Sequence, residues 1–252
     1  MLLLLLRIRR EEGGSINKAM SRSSNDVLED KVSHLLGLLK SHQWACFRST
    51  ALPNPIYFKA LTNLIGQMPQ LNGMTLLHAA LRYDPPAELI LEILEICPAQ
   101  LKTTDCLGRT PLHVAAGSGV TKPDLIKYLA NIYPAACDIQ DIDGKTPLHL
   151  ACDSSCELFE VEDDNDTTNE LLRGPPCHDT IRALLSESLA AATIEDVDEM
   201  NALEYAIMSN AKLKTVKLLQ NAATKHFRVT YESAPTESSP TTPRRISENN
   251  TI

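Results

Sequence analysis

Aromatic side chains are scarce in this chain of 252 residues, where phenylalanine, tryptophan and tyrosine together make up 4%. Hydrophobic residues of all kinds reach an ordinary 43%. A core must therefore be built from leucine, isoleucine, valine and alanine, which suits closely stacked helices. The length is enough for one elongated domain or two compact ones, and for a sizeable core.

The chain also lacks an apolar run that is long enough to span a bilayer. The leucine-rich residues 2–6 are shorter than the core of a signal peptide, and the Arg-rich residues 7–10 follow this run instead of preceding it. We therefore expect residues 1–24 to be a disordered leader, with targeting or membrane anchoring as the alternative. The seven cysteines show no paired spacing, which favours reduced thiols. We expect an intracellular, cytoplasmic protein, with the nucleus as the alternative compartment.

A basic excess is missing from the middle of the chain. The net charge is −8, but residues 99–200 alone contain 19 acidic and 7 basic residues, a net charge of −12, and the remainder carries +4. Binding to nucleic acid requires a basic surface. The acidic middle therefore argues against nucleic acid as the main ligand, and it is compatible with a protein partner that presents a basic segment.

A short pattern recurs in the chain and points to a repeat architecture. Thr-Leu-Leu-His starts at Thr75, Thr-Pro-Leu-His starts at Thr110 and again at Thr146, and a weaker copy starts at Asn201. The steps are 35, 36 and 55 residues. Apolar residues with helical spacing and a later proline also recur in each unit, so the period covers whole units.

Each position of the unit has a physical task. Thr110 and Thr146 are suited to the N-cap, where a hydroxyl accepts a bond from a free helix N–H, and a proline follows at the first helical position. Gly108 and Gly144 suit a turn with positive φ. The histidine of each unit, at His78 in the first, can bond the capping threonine and a neighbouring backbone carbonyl, which favours a structural role over a catalytic one.

These units resemble ankyrin repeats, in which a turn is followed by two helices. The resemblance covers residues 73–227 and implies an all-α ankyrin-repeat solenoid with helical caps. The units are two or three residues longer than usual, the first lacks the proline, and the last lacks threonine, proline and histidine. The third unit carries 19 extra residues, which place an acidic, solvated insertion at about residues 157–175.

The segments outside the repeats form the remaining domains. Residues 25–72 are predicted to contain one helix over Asp26–Lys40 and another over Ile56–Ile65, which form a degenerate repeat or an N-terminal cap. A last helix is predicted over Leu213–Ala223. Residues 228–252 are rich in Ser, Thr and Pro and are expected to be a disordered tail. This tail contains Arg-Arg-Ile-Ser, Ser-Pro and Thr-Pro sequences that resemble kinase sites.

Metal sites receive little support from the sequence. Cys152, Cys156, Cys177 and His178 could supply zinc ligands, but isolated cysteines also replace alanine in this unit. The acidic insertion lacks the glycine turn of a calcium loop. We expect no metal, no cofactor and no catalytic site, so the chain is predicted not to be an enzyme.

The resemblance implies a protein-binding module, because ankyrin repeats usually bind through their turn tips and first helices on the concave surface. The candidate binding residues are Asp105, Cys106, Leu107, Gln140, Asp141, Ile142, Asp143, Glu195, Asp196 and Val197. Asp105, Asp141 and Asp196 match one another and are expected to form an exposed negative row for a basic segment. The alternative is a structural or accessory subunit that contacts partners through its N-terminal helices. The sequence gives no indication of membrane binding or of the oligomeric state.

Overall fold

The computed structural model describes residues 24–68, 72–156 and 174–232. In these ranges the chain is almost entirely helical, and one isolated β-bridge joins Glu195 to Asn201. The predicted leader up to residue 23, the insertion over residues 157–173 and the tail from residue 233 lie outside the described residues. So do the three kinase-like sequences.

Three helices precede the repeats. They are α1 (Ser24–Lys40), α2 (Trp44–Ala51) and α3 (Pro55–Gln67). The predicted helices at Asp26–Lys40 and Ile56–Ile65 are confirmed, whereas α2 was not predicted. Helix α1 packs against the first helix of the first repeat and α3 against the second, so these two helices take the positions of a preceding unit.

Four helix pairs form the stack. The first helices are α4 (Leu76–Leu81), α6 (Pro111–Ser118), α8 (Pro147–Cys152) and α10 (Ala202–Met208), and the second helices are α5 (Ala87–Ile96), α7 (Pro123–Ile132), α9 (His178–Glu187) and α11 (Leu213–Glu232). Short 3₁₀ helices follow three of the second helices, at Pro98–Lys102, Pro134–Cys137 and Ala190–Ala192. The predicted all-α ankyrin-repeat solenoid is confirmed.

The helices stack in two layers. In the first-helix layer, α4 packs against α6, α6 against α8 and α8 against α10, whereas in the second-helix layer α7 packs against α9 and α9 against α11. The buried residues between them are mostly leucine, isoleucine and alanine. Among the described residues, the buried aromatic side chains are Phe47 and Phe58 in the N-terminal helices and Tyr205 in the last pair. Small side chains therefore let the repeat helices approach closely.

The last helix is longer than the sequence predicted. Helix α11 runs from Leu213 to Glu232 and so continues past the predicted end at Ala223. It includes residues 228–232, which the sequence assigned to the disordered tail. The sequence from Leu213 to Glu232 contains neither glycine nor proline, so nothing in it interrupts the helix before Glu232.

Candidate functional site

The turns before α6, α8 and α10 are each closed by an aspartate. The Oδ1 atom of Asp105 accepts hydrogen bonds from the backbone N–H groups of Leu107 and Arg109, at 3.0 and 2.9 Å. The same two bonds, to the residues two and four positions later, recur at Asp141 and Asp196 with lengths of 2.8 to 3.0 Å. These carboxylates therefore fix the shape of the turns.

The sequence predicted that Asp105, Asp141 and Asp196 form an exposed row, and this prediction of their exposure is wrong. Asp105 and Asp196 are only 6% and 7% exposed, and Asp141 is half-buried. The second oxygen of Asp105 binds Arg109 at 2.8 Å, and that of Asp196 accepts a 2.6 Å bond from the Tyr205 hydroxyl. The physical reason is local, because a carboxylate that satisfies its own turn has to point into that turn.

The residues that do project from the turns lie one or two positions later. Cys106, Leu107, Ile142, Asp143 and Val197 are exposed, and the exposed fractions of Ile142 and Val197 reach 61% and 66%. We call these five residues the tip row. It combines apolar side chains with the carboxylate of Asp143, and the exposed Asp198 lies next to it. All five residues are among the candidate binding residues from the sequence, but they are less acidic than the predicted row of three aspartates.

Backbone hydrogen bonds hold neighbouring turns side by side. The N–H of Cys106 donates to Asn72 O at 2.7 Å, that of Ile142 to Leu107 O at 2.9 Å, and that of Val197 to Asp143 O at 3.0 Å. This tip ladder joins each turn to the next and makes the tip row continuous.

Side chains also tie the second and third of these turns together. Gln140 Nε2 donates to Gly144 O at 2.7 Å and to Glu195 O at 2.9 Å. Gly144 has a φ of +75°, and a Cβ there would lie 2.9 Å from Val197 N. Gln140 and the exposed Glu195 therefore lie beside the tip row, and Gly144 is required by the close approach of the next turn.

The recurring histidines connect one repeat to the next. In the first unit, Thr75 N–H donates to His78 Nδ1 at 3.2 Å, which leaves the ring proton on Nε2, and Nε2 donates to Arg109 O at 3.0 Å. His113 and His149 repeat this arrangement with carbonyls of the following turns, at 3.1 Å each. Both ring nitrogens are thus used inside the stack, and the predicted structural role is confirmed.

Burial changes the acid–base behaviour of these histidines. It lowers the pKa of His78 and of His113 to about 4, although the carbonyl bonds partly oppose the effect. The pKa of His149 is lowered for the same reason. The imidazoles are therefore neutral near pH 7, as the bond from the threonine N–H requires.

A pocket of about 280 Å³ lies between the turns and the end of α8, and Leu107, Asp141, Asp143, Lys145 and Leu150 are among its lining residues. The other lining residues are Arg109, Asp153, Ser155 and Cys156. The pocket combines both signs of charge with two leucines, and it opens beside the tip row.

Lys145 is held in place at this pocket. Its Nζ lies 3.3 Å from Asp153 Oδ2 and 4.6 Å from the centroid of the Tyr205 ring. Burial lowers the pKa of Lys145, but the Tyr205 hydroxyl and the Asp153 carboxylate outweigh burial, so the pKa is raised. These residues could not be found from the sequence, because Lys145, Asp153 and Tyr205 come together only in the folded chain and no short spacing marks them.

The first helices offer little surface of their own. All residues from Leu76 to Leu81 and from Pro111 to Gly117 are buried. Among the first helices, only α10, in the fourth pair, has several exposed side chains, at Glu204, Ile207 and Met208. The accessible part of the candidate site is therefore the tip row and the neighbouring pocket.

Within the described residues, no group of three or more His, Cys, Asp or Glu side chains is arranged to hold a metal ion. Cys152 is buried and Cys177 is exposed. No described helix is long and apolar enough to cross a membrane.

Comparison with known families adds one finding. Residues 76–161 match the model of ankyrin repeats, described as three copies. The matched region contains α4 to α8, which carry the histidine connections and the first two aspartate turns. No curated protein matches the chain significantly.

Proposed function

Because the chain is an ankyrin-repeat protein, and ankyrin repeats are generally protein–protein interaction modules, we propose that it binds a protein partner along the tip row on the concave side of the stack. The observation that carries the proposal is a continuous exposed surface on a rigid base. Ile142 and Val197 are more than half exposed, and backbone bonds fix the spacing of their turns. A surface ordered before binding loses little conformational entropy on binding.

The partner segment has apolar and basic side chains in this proposal. Its apolar residues contact Ile142 and Val197, and its basic residues approach the exposed carboxylates of Asp143, Glu195, Asp198 and Glu199. Lys145, the cation nearest in sequence to Asp143, is already paired with Asp153. This local excess of negative charge supports a partner with a basic segment. The carboxylates that would attract it are these exposed ones and not those of the buried aspartates.

A binding role is favoured over a catalytic one because the recurring histidines are consumed by the fold. Binding through the N-terminal helices, the alternative, has less support. Phe47 and Phe58 of these helices are fully buried, and Trp44 and Tyr57 are partly buried against the core. Ile56, which is 82% exposed, is the most exposed large apolar side chain that they offer among the described residues.

The experiment compares exposed apolar side chains at two sites, the tip row and a turn away from it. Partners captured on the full-length protein are compared between a double variant, Ile142→Arg with Val197→Arg, and a control, Val120→Arg, whose side chain is 50% exposed in the turn between α6 and α7. We expect the tip variant to lose the partner and the control to keep it. A partner retained equally by both variants would move the search to the N-terminal helices.

The charge element has a separate test. The association rate of a purified partner should fall with added salt, because salt screens charges over about 8–10 Å. Asp143→Lys should slow association further. An association rate that ignores both changes would remove the basic segment from the proposal and would leave the apolar contact untouched.

A further inference from the structure

The last helix pair has an uncovered apolar face. In α10 the buried side consists of Ala202, Tyr205 and Ala206, which leaves Ile207 and Met208 exposed at 55% and 69%. Just beyond the turn, α11 exposes Leu213 at 67% and, later, Phe227 at 53%. Val216, half-buried, lies between these two. We call Ile207, Met208, Leu213, Val216 and Phe227 the end face.

The α11 residues of this face share one side of the helix. Leu213, Val216 and Phe227 are separated by three and eleven residues, and such spacings bring side chains to the same side of an α-helix. The opposite side, with Thr215, Leu219 and Ala222, is buried against the stack. The exposed Gln220 and the half-buried Ala223 lie between Val216 and Phe227 on the side of the end face. The uncovered side therefore has apolar residues towards its two ends, and only the opposite side is covered.

The turn of the last unit differs from the earlier turns at the position of their glycine. In earlier turns the matching positions are Gly73, Gly108 and Gly144, and a Cβ at these positions would lie 2.9 to 3.4 Å from the backbone of the next turn. The last turn has Glu199 there, with a φ of +59°. The distance is too short for a Cβ only at Gly144, at 2.9 Å. The longer side chain of Glu199 therefore favours an occupant that approaches the end face differently from a following repeat.

The charge beside the end face indicates the chemistry of the occupant. The sequence from Asn210 to Tyr231 contains five lysines and arginines and no acidic residue. Lys214, Lys217, Lys225 and Arg228 fall on one side of α11, next to the apolar side, because their spacings of three, eight and three residues follow the helical period. None of these four forms an ion pair with another described residue. A cationic row thus runs parallel to an apolar row.

We propose that the end face binds an acidic amphipathic helix of a protein partner. Its apolar side covers Leu213, Val216 and Phe227, and its carboxylates lie along the cationic row. Such a helix satisfies both rows at once, which is how amphipathic helices are recognised in grooves and on helical surfaces. The proposal concerns a different surface from the tip row and does not depend on it.

Charge argues against two other occupants. A second copy that pairs through α11 would add a second cationic row and no matching carboxylates. An anionic membrane would attract the cationic row, but the exposed Asp198, Glu199 and Glu204 belong to the turn and helix that precede α11 and would be repelled by the lipid surface. An acidic helix avoids both problems because its charged side is narrow.

A display experiment tests the chemistry without a known partner. A library of helical peptides with a fixed leucine pattern and random polar positions is selected on the full-length protein. We expect glutamate and aspartate to be enriched at the polar positions. Enrichment of lysine and arginine, or no selection at all, would overturn the proposal.

Variants then locate the binding site of a selected peptide. Leu213→Glu and Phe227→Glu should each weaken binding at least about ten-fold, and the pair Lys214→Glu with Lys217→Glu should do the same. Val120→Glu, at an exposed apolar position elsewhere, should leave affinity unchanged. All the substituted apolar side chains are at least half exposed, so thermal unfolding should report intact folding. Equal affinity in all variants would place the peptide elsewhere and overturn the proposal.

Three further measurements separate the competing occupants. Self-association of the unmodified chain that Phe227→Glu abolishes would show a second copy. Binding to vesicles of phosphatidylcholine with phosphatidylserine that the same variant abolishes, without peptide selection, would show a lipid surface. Peptide binding that appears only after residues 157–173 are replaced by a Gly-Ser linker would show that this acidic segment occupies the face. Each of these results would overturn the proposal.

Discussion

The two ends of the stack are finished in different ways. At the N-terminal end, α1 and α3 pack onto the first repeat, and Phe47 of α2 and Phe58 of α3 are completely buried. At the other end, Leu213 and Phe227 remain more than half exposed. One end therefore has additional core, and the other has a last helix with exposed apolar side chains. The comparison shows that the last helix pair can pack onto the stack while the apolar side chains on its outer side stay uncovered.

The largest effect is expected from acid, which should act on the repeats that carry the buried histidines and spare the last one. In the folded chain His78 and His113 have pKa values lowered to about 4 from 6.5, so the unfolded chain binds protons more readily. Stability should be complete above about pH 6.5, fall as the pH drops towards 4, and then level off. Between pH 6.5 and 5 each histidine should cost about 2 kcal/mol.

Chemical denaturation at several pH values measures this loss. The control is His113→Gln, which is less stable at pH 7 but should lose stability less steeply over the same range. The last first helix has Glu204 at the histidine position, so the unit of α10 and α11 should show little of this acid sensitivity in hydrogen exchange. An unchanged slope in His113→Gln would contradict the assignment.

Next in size is a direct comparison of one phenylalanine from each end. Phe58→Ala removes a fully buried ring and should lower the free energy of unfolding by about 3–5 kcal/mol. Phe227→Ala removes a ring that is 53% exposed and should change stability by no more than about 0.5 kcal/mol. Chemical denaturation of both variants decides the matter. Comparable losses would mean that the end face is packed in solution.

The turns permit a finer comparison. Gly144→Ala places a Cβ 2.9 Å from Val197 N at a φ of +75°, and we expect a loss of about 2 kcal/mol from strain and displacement. At the matching position of the last turn, Glu199→Gly relieves a positive φ at an exposed residue and should stabilise the chain by up to about 1 kcal/mol. Thermal unfolding provides the measurement, and opposite signs are the expected result.

The smallest effect is expected inside the third repeat. Replacement of residues 157–173 by a short Gly-Ser linker should change the midpoint of thermal unfolding little, because the cost of closing a loop depends weakly on its length. A large drop in the midpoint would mean that this segment packs on the stack. The segment would then cover a surface of the repeats, as the N-terminal helices do at their end.

The sequence predicted the repeated features well because they are local. Thr110 and its proline mark a helix start, Gly108 marks a turn, and His113 follows at a fixed spacing, so the fold and the role of the histidines followed from short patterns. Helix α2 was missed because its eight residues, which start at Trp44, separate two longer helices and carry no capping signal.

The candidate site was predicted less completely. The burial of Asp105 could have been inferred from its place in the turn. An aspartate in a turn commonly accepts a hydrogen bond from the backbone N–H two residues later, and this bond directs its carboxylate into the turn. The pairing of Lys145 with Asp153 and Tyr205 could not, because it depends on how α8 and α10 stack. The five tip-row residues were all among the candidates from the sequence, but the distinction between the exposed Ile142 and Val197 and the buried aspartates depends on which side chain of each turn points outwards.

The histidine connection has a consequence for how such a chain can change over generations. Each imidazole donates a hydrogen bond to a main-chain carbonyl of the next unit, at Arg109, Lys145 and Met200 in turn. Two of these positions have a cationic side chain and the third has methionine, so the hydrogen bond, which uses only the main chain, does not require one particular side chain there. A unit can therefore be duplicated, lost or exchanged within the array without redesigning its neighbour, and recombination of the array is constrained by length and by turn shape more than by sequence.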